Sequence, residues 1–315
     1  MQTLDRDAVA DALPFGRLID AIDAAFRSDV VVPERTHHRV DVPGGTDATL
    51  LMMPAWRPGK SLGVKIATIF PDNARRSLPS VQASYLLLDA ATGQPEAILD
   101  GPELTVRRTA AASALASRYL SRPDAMTLLM VGTGKLAPRL IAAHATVRNL
   151  EEVLVWGRRR DAAERLRGEF TASPFEVAVV EDLEAAVRRA DIVSCATLAT
   201  EPLIRGAWLK EGQHIDLVGA FRADMSEADI ESLSRADVYV DTRAGALADA
   251  GEIIQAIAMG RFRADDIVGD LFDLARGSCR VRESDRAITL FKSVGTALED
   301  LAAAELAIGQ GFGRA

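Results

Sequence analysis

"LLMVGTGKLAPRLIAAH", residues 128–144, decides the fold. A hydrophobic run ends in Gly132-Thr133-Gly134 and passes straight into an alanine-rich, helix-like stretch. From Gly132 to Ala137 the pattern is G-x-G-x-x-A. In such a turn the first glycine permits a tight bend and the second lets the backbone approach a pyrophosphate. The small last residue packs the helix onto the strand. The helix start adds unpaired N–H groups and the positive end of its dipole. A lone motif of this kind is weak, so its weight rests on what surrounds it.

The surroundings agree with a dinucleotide site. From residue 126 onward, strand-like runs alternate with helical ones: "AMTLLMVG", "EVLVWG", "FEVAVVE", "DIVSCAT", "HIDLVGA" and "DVYVDT". That is a βαβ series, and it predicts a doubly wound parallel sheet. Upstream the grammar differs. Residues 5–27 read as two short helices broken near Pro14, followed by strand-like runs and turn signals such as Pro43-Gly44-Gly45 and Pro58-Gly59. A helix follows from Glu103 to Leu120, so this part reads as an α+β domain with a mostly antiparallel sheet. Beyond residue 285 come "AITLFKSVG" and a terminal helix, whose return to the first domain the local pattern leaves open.

A site for NAD usually carries an acid about 20 residues after the glycine turn, at the end of the second strand, for the ribose hydroxyl. Here the strand ends at Trp156-Gly157, followed by Arg158, Arg159 and Arg160. Cations at a helix start oppose the dipole. A 2′-phosphate would offset that cost, and guanidinium geometry matches phosphate. The expectation is NADP, with NAD as the alternative and a merely solvated basic turn as the plain structural reading.

Composition narrows the classes. The chain has 315 residues, 48% of them hydrophobic and 26% charged, with a formal net charge of −8. That balance suits a soluble globular protein and argues against a general nucleic-acid or anionic-membrane surface. Cys195 and Cys279 have neither metal-ligand spacing nor a disulfide pattern, so reduced thiols in a cytoplasmic protein are expected. The N-terminal stretch has no apolar signal region, and no uncharged run approaches a membrane span. His37 and His38 are adjacent and would point to opposite faces of a strand, so no metal site is expected there.

Two charges stand where apolar residues belong. In the helix 103–120, Leu104, Arg108, Ala111 and Leu115 share one face. A buried guanidinium there needs a partner: either a substrate carboxylate or a structural ion pair. Arg107 has a simpler account, a surface pair with Glu103. Lys65 is the lone charge between Ser61 and Pro71, on a strand face shared with Gly63 and Ala67. Its small neighbours suggest room above the ammonium, hence a functional role; the alternative is an edge-strand lysine.

Together these stretches resemble the ornithine cyclodeaminase/mu-crystallin family over nearly the whole chain. The resemblance is carried by "LLMMPAW", "GVKIATIFPDN", "LDGPELTVRRTAAASALA", "LMVGTGKLAP", "HIDLVGAFRADMSEAD", "VDTRAGAL" and "ITLFKSVGTALEDLAAAEL". It implies an α/β protein with two parts. A substrate-binding and dimerisation domain would span 1–122 and 290–315, and a Rossmann-type dinucleotide-binding domain 123–289. It also implies a homodimer. Residue by residue, it assigns Arg35 and Arg108 to the substrate carboxylate and Lys65 to the substrate site with a catalytic role. It assigns Gly132, Thr133, Gly134, Lys135 and Leu136 to the cofactor loop, and Val294 and Gly295 to the segment near the nicotinamide. Arg158 and Arg159 remain the phosphate-binding expectation.

One departure separates branches of that family. Its true cyclodeaminases look like an acid-bearing "VG-G/A-D" at the position where this chain reads Val218-Gly219-Ala220-Phe221. The missing acid makes the chain look most like the Δ1-pyrroline-2-carboxylate reductase branch. The expected activity is therefore hydride transfer from NAD(P)H to a cyclic imino acid, five- or six-membered, giving L-proline or L-pipecolate. The alternatives are an ornithine cyclodeaminase, or a crystallin-like protein that binds NADPH without turnover.

Overall fold

The computed structural model describes residues 1–310; residues 311–315 of the expected first domain lie outside the described residues. In chain order the elements begin with β1 (Gln2–Leu4), α1 (Arg6–Ala12), α2 (Phe15–Arg27), β2 (Thr36–Val40), β3 (Ala48–Arg57), β4 (Ser61–Ile69), β5 (Val81–Asp89), β6 (Pro95–Asp100) and the long α3 (Gly101–Leu120). Then come β7 (Thr127–Val131), α4 (Ala137–Val147), β8 (Glu152–Trp156), α5 (Arg160–Gly168), β9 (Glu176–Val179), α6 (Leu183–Arg189), β10 (Ile192–Cys195), β11 (His214–Leu217) and α7 (Ile230–Arg235). The chain ends through β12 (Asp237–Val240), α8 (Arg243–Asp249), α9 (Gly251–Ala258), β13 (Ile267–Asp270), α10 (Leu271–Arg276), β14 (Thr289–Lys292) and α11 (Ala297–Ala307). They form two compact units, one of residues 1–109 with 296 onward, the other of residues 110–295.

The first unit is built on a six-stranded sheet in the order β1-β6-β5-β4-β3-β2. Strands β2 to β6 pair antiparallel, and β1, which the sequence did not announce, adds to β6 in parallel. Pro14 separates the first two helices as expected: it stands at the N-cap of α2 and cannot continue α1 because it has no N–H. The apolar face of α2, including Leu18, Ile22 and Phe26, is buried, and α11 packs both on α2 and on β3, β4 and β5. Alternation along β4 sends Ser61, Gly63, Lys65 and Ala67 to the covered face and leaves Ile66 40% exposed on the other. Helix α3 starts earlier than expected, at Gly101. Asp100 Oδ1 accepts the Glu103 N–H at 2.8 Å and caps the first turn.

The second unit is the doubly wound sheet, eight parallel strands in the order β13-β12-β14-β11-β10-β7-β8-β9. From β7 the chain runs outward through β8 and β9, then restarts on the other side with β10. The crevice outside the carboxyl ends of β7 and β10 is the ligand position of such folds. All residues of β10, β11 and β14 are buried, as in sheets covered on both faces.

The expected domain limits need correction at both ends. The limit at 290 passes through β14, which is hydrogen-bonded to β11 on one side and β12 on the other. Thr289, Leu290, Phe291 and Lys292 are all fully buried there, so this strand belongs to the parallel sheet. The limit at 122 is also displaced, because the units divide inside α3, after Thr109.

Candidate active site

Lys65 is 3% exposed and Arg108 5% exposed, so both charges are taken from water. Both turn to the same acid. Lys65 Nζ lies 3.0 and 2.8 Å from the two oxygens of Asp300, and Arg108 Nε donates to Asp300 Oδ1 at 2.9 Å. Arg108 Nη1 donates to Glu299 Oε2 at 2.6 Å. Three elements thus meet in one buried cluster: β4 supplies Lys65, α3 Arg108, and the first turn of α11 both acids. Burial drives the Lys65 pKa down, helped by Arg108 and Arg35 and opposed by Asp300; the result is about 8. Asp300 stays below its usual value despite burial, because Arg108 and Lys65 hold its charge.

Two sequence readings change here. The space that Gly63 leaves is taken by Tyr85: a Cβ at Gly63 would sit 1.9 Å from the Tyr85 hydroxyl, so the glycine accommodates the tyrosine ring. Tyr85 is fully buried, and burial with Asp300 and Glu305 nearby pushes its pKa up. The Arg107–Glu103 pair forms at 2.8 Å, but not on the surface; Glu103 is 4% exposed, and Arg107 also donates to the Leu13 carbonyl. Arg35 lies half-buried just before β2, near enough for its charge to act on Lys65. Asp300 and Glu299 were missed. In the sequence they are acids in the first turn of a helix, where the dipole alone accounts for them.

In the second unit the glycine turn has the geometry its pattern implies. Gly132 has φ +111°, and a Cβ there would lie 2.5 Å from the Ala196 carbonyl oxygen at the end of β10. Nothing lies within 4 Å of a Cβ at Gly134, which leaves that backbone open to a phosphate. Lys135 is exposed, Thr133 and Leu136 are half-buried, and α4 begins at Ala137. The residues therefore fit a dinucleotide: an open glycine backbone leads into the start of an eleven-residue helix.

Gly157 abuts this turn, since a Cβ on it would be 2.7 Å from Thr133 Cγ2. The next residues, Arg158 and Arg159, are exposed at the end of β8 and engage in no ion pair among the described residues, whereas Arg160 pairs with Glu181 and Glu164. Val294 and Gly295 follow β14, with their N–H groups donated to Asp241 Oδ2 at 2.7 and 2.6 Å. Phe221 is 46% exposed on the loop after β11. Among the described residues no cluster of His, Cys, Asp or Glu is placed to hold a metal ion, and no helix is long and apolar enough to cross a membrane.

Comparison with known proteins gives a consistent picture. The family described as ornithine cyclodeaminase/mu-crystallin matches residues 3–309. The Delta(1)-pyrroline-2-carboxylate reductase of Paracoccus denitrificans is 42% identical over 90% of this chain and 89% of its own. The solved structure of the Thermococcus litoralis Delta(1)-pyrroline-2-carboxylate reductase, in complex with NADH and L-proline, aligns with a TM-score of 0.91 at 34% identity, covering 98% of this chain and 97% of that one. An archaeal alanine dehydrogenase dimer with bound NAD aligns at 0.90 with 28% identity, covering 98% and 95%.

Proposed function

The chain belongs to the ornithine cyclodeaminase/mu-crystallin family, and we propose that within it the protein is an imine reductase that uses a reduced nicotinamide cofactor to convert Δ1-pyrroline-2-carboxylate into L-proline. One observation carries this reading: two buried cations, Lys65 and Arg108, share one acid on the covered face of the first unit, in a chain whose full length matches reductases of this class. The six-membered homologue of the imine would fit the same chemistry.

A bound nicotinamide would supply the hydride for the imine carbon; the protein must bind, orient and protonate. Arg35, Lys65 and Arg108 are assigned to the substrate carboxylate. Arg35 and Arg108 both press the Lys65 pKa down, and an anion among them relieves that repulsion. The bound carboxylate fixes the imine carbon for attack, and such positioning is worth several kcal/mol of barrier on its own. Reduction also places a proton on the imine nitrogen. Lys65 Nζ, with a pKa of about 8, can release one close to neutral pH. The loop Gly132–Leu136 would hold the pyrophosphate, with Val294 and Gly295 bordering the nicotinamide. Where a cyclodeaminase-type acid would stand, Phe221 offers no carboxylate.

The relatives in hand bind NADH or NAD; for this chain we assign NADPH as the preferred form, on the strength of exposed Arg158 and Arg159 and the absent acid at the end of β8. The test is kcat/KM with both cofactors in the wild type and in Arg158→Ala. Removing a charge-assisted phosphate contact should cost NADPH about 1.5–3 kcal/mol and leave NADH unchanged; a wild type that prefers NADH overturns the assignment. The outer face of the first sheet, where Ile66 is 40% exposed beside half-buried Leu62, Val64 and Leu86, supports a homodimer. Ile66→Glu should halve the mass seen by sedimentation, and an unchanged mass would remove this face from the interface. Two free thiols, Cys195 and Cys279, support a cytoplasmic location, which fractionation of the source cells would check.

A further inference from the structure

A second buried charge cluster lies in the second unit, and the chemistry above makes no use of it. Glu227 is fully buried on the segment before α7. Its Oε1 accepts the Thr197 N–H at 2.6 Å and the Thr197 hydroxyl at 2.9 Å, and its Oε2 accepts the Gly219 N–H at 2.6 Å. Thr197 follows β10 and Gly219 follows β11, so one carboxylate ties together the carboxyl ends of two neighbouring strands. The fit is close, because a Cβ at Gly219 would lie 2.4 Å from Glu227 Oε1 and 2.0 Å from the Thr197 carbonyl oxygen. The tie also reaches the cofactor turn. A Cβ on Gly132 would meet Thr197 Cγ2 at 3.2 Å and the Ala196 carbonyl oxygen at 2.5 Å, so the glycine turn rests against the segment that Glu227 holds.

The remaining groups around Glu227 come from three elements. From β14, Lys292 places Nζ 4.0 Å from Glu227 Oε2 and 3.3 Å from Glu252 Oε2. From α9, Glu252 Oε1 accepts the Glu227 N–H at 2.8 Å. From β10, the Cys195 thiol neighbours Glu227, with its own pKa pushed up chiefly by burial. Two carboxylates thus share one buried ammonium, and burial together with Glu252 raises the Glu227 pKa to about 6 against the pull of Lys292.

We propose that Glu227 is a positioning residue of the cofactor crevice, and that its ionised form holds the β10 and β11 loops in the arrangement that receives the dinucleotide. Both oxygens act as acceptors for fixed N–H donors. A proton removes the charge that strengthens these bonds and turns one acceptor site into a donor, which loosens the hold on the two loops. Dinucleotide affinity should therefore fall as the pH drops through about 6. This rests on the reading of the second unit as the cofactor-binding unit.

The experiment is a fluorescence titration of NADH binding from pH 5 to pH 8.5, in the wild type, Glu227→Gln and Thr197→Val. NADH is the probe because it lacks the 2′-phosphate, which itself would titrate near pH 6. Glu227→Gln leaves the Lys292–Glu252 pair charge-balanced. In the wild type, Kd should be flat above pH 7 and rise below pH 6. In Glu227→Gln it should be about tenfold weaker at pH 8 and lose its acid dependence. Thr197→Val, which removes the hydroxyl donor to Glu227 and keeps the backbone one, should move the wild-type transition to higher pH. Glu227→Gln binding NADH like the wild type, or keeping the acid weakening, overturns the proposal. Should that variant not fold, an unmoved transition in Thr197→Val does the same. A wild type that binds neither NADH nor NADPH at any pH instead overturns the cofactor reading itself.

Discussion

Lys65 holds a positive charge where burial opposes it, and the balance comes from Asp300 against Arg108 and Arg35. If substrate turnover needs the charged ammonium, kcat/KM for the imine should decline as the pH rises through about 8; a profile flat to pH 10 would remove Lys65 from the chemistry. Arg108→Ala should cost activity about 2–5 kcal/mol, as for loss of a charged partner. It should also cost stability about 3–5 kcal/mol, because Glu299 and Asp300 would be left buried with one cation fewer. Urea unfolding separates the two effects, and an Arg108→Ala of wild-type stability would show that the ion-pair cluster contributes nothing to the fold. Lys65 and Arg108 were legible in the sequence because each is a lone charge in an apolar pattern. Their partner was not. Acids in the first turn of a helix are favourable for dipole reasons alone, so Glu299 and Asp300 raise no local anomaly. Asp300 lies 192 residues from Arg108 and 235 from Lys65, a separation no periodicity reports.

At the scale of elements, the glycine turn offers a paired test. Gly132→Ala puts a Cβ into the Ala196 carbonyl at a φ that disfavours side chains, so it should disturb the turn and lower stability as well as cofactor binding. Gly134→Ala meets nothing within 4 Å, so the protein should melt normally and yet bind NADH at least tenfold more weakly. Equal NADH affinity in Gly134→Ala and wild type would mean the open backbone at that position faces no phosphate. The turn, its strand and its helix were readable because they are contiguous. Strand β14 was divided by the limit expected at 290, because its neighbours are β11 and β12 and their pairing is long-range. Its burial on both faces, including fully buried Lys292, is decided by the sheet around it rather than by its own alternation.

The whole molecule carries buried titratable groups that pull stability in opposite directions. Burial lowers His214, whose Nδ1 lies 2.9 Å from Thr289 Oγ1, from 6.5 to about 3. A depressed folded pKa contributes stability that is complete above pH 6.5 and drains away as the pH falls toward 3, by up to about 1.4 kcal/mol per pH unit. Glu227 is raised from 4.5 to about 6, so its contribution is complete below pH 4.5 and is lost as the pH rises through 6. Between those limits the two slopes oppose each other, and below pH 4.5 Glu227 no longer offsets the His214 loss. Stability from chemical denaturation should change little from pH 6 to 4.5 and fall steeply below. His214→Asn should flatten that acid limb, and an unaltered limb would exclude His214 as its source. The central claim concerns where the hydride goes, and isotope transfer tests it most directly. Protein supplied with Δ1-pyrroline-2-carboxylate and nicotinamide cofactor deuterated at C4 should yield L-proline carrying deuterium at Cα, with no ammonia released from L-ornithine under the same conditions. Unlabelled proline made from ornithine with release of ammonia, or no proline at all, would contradict it.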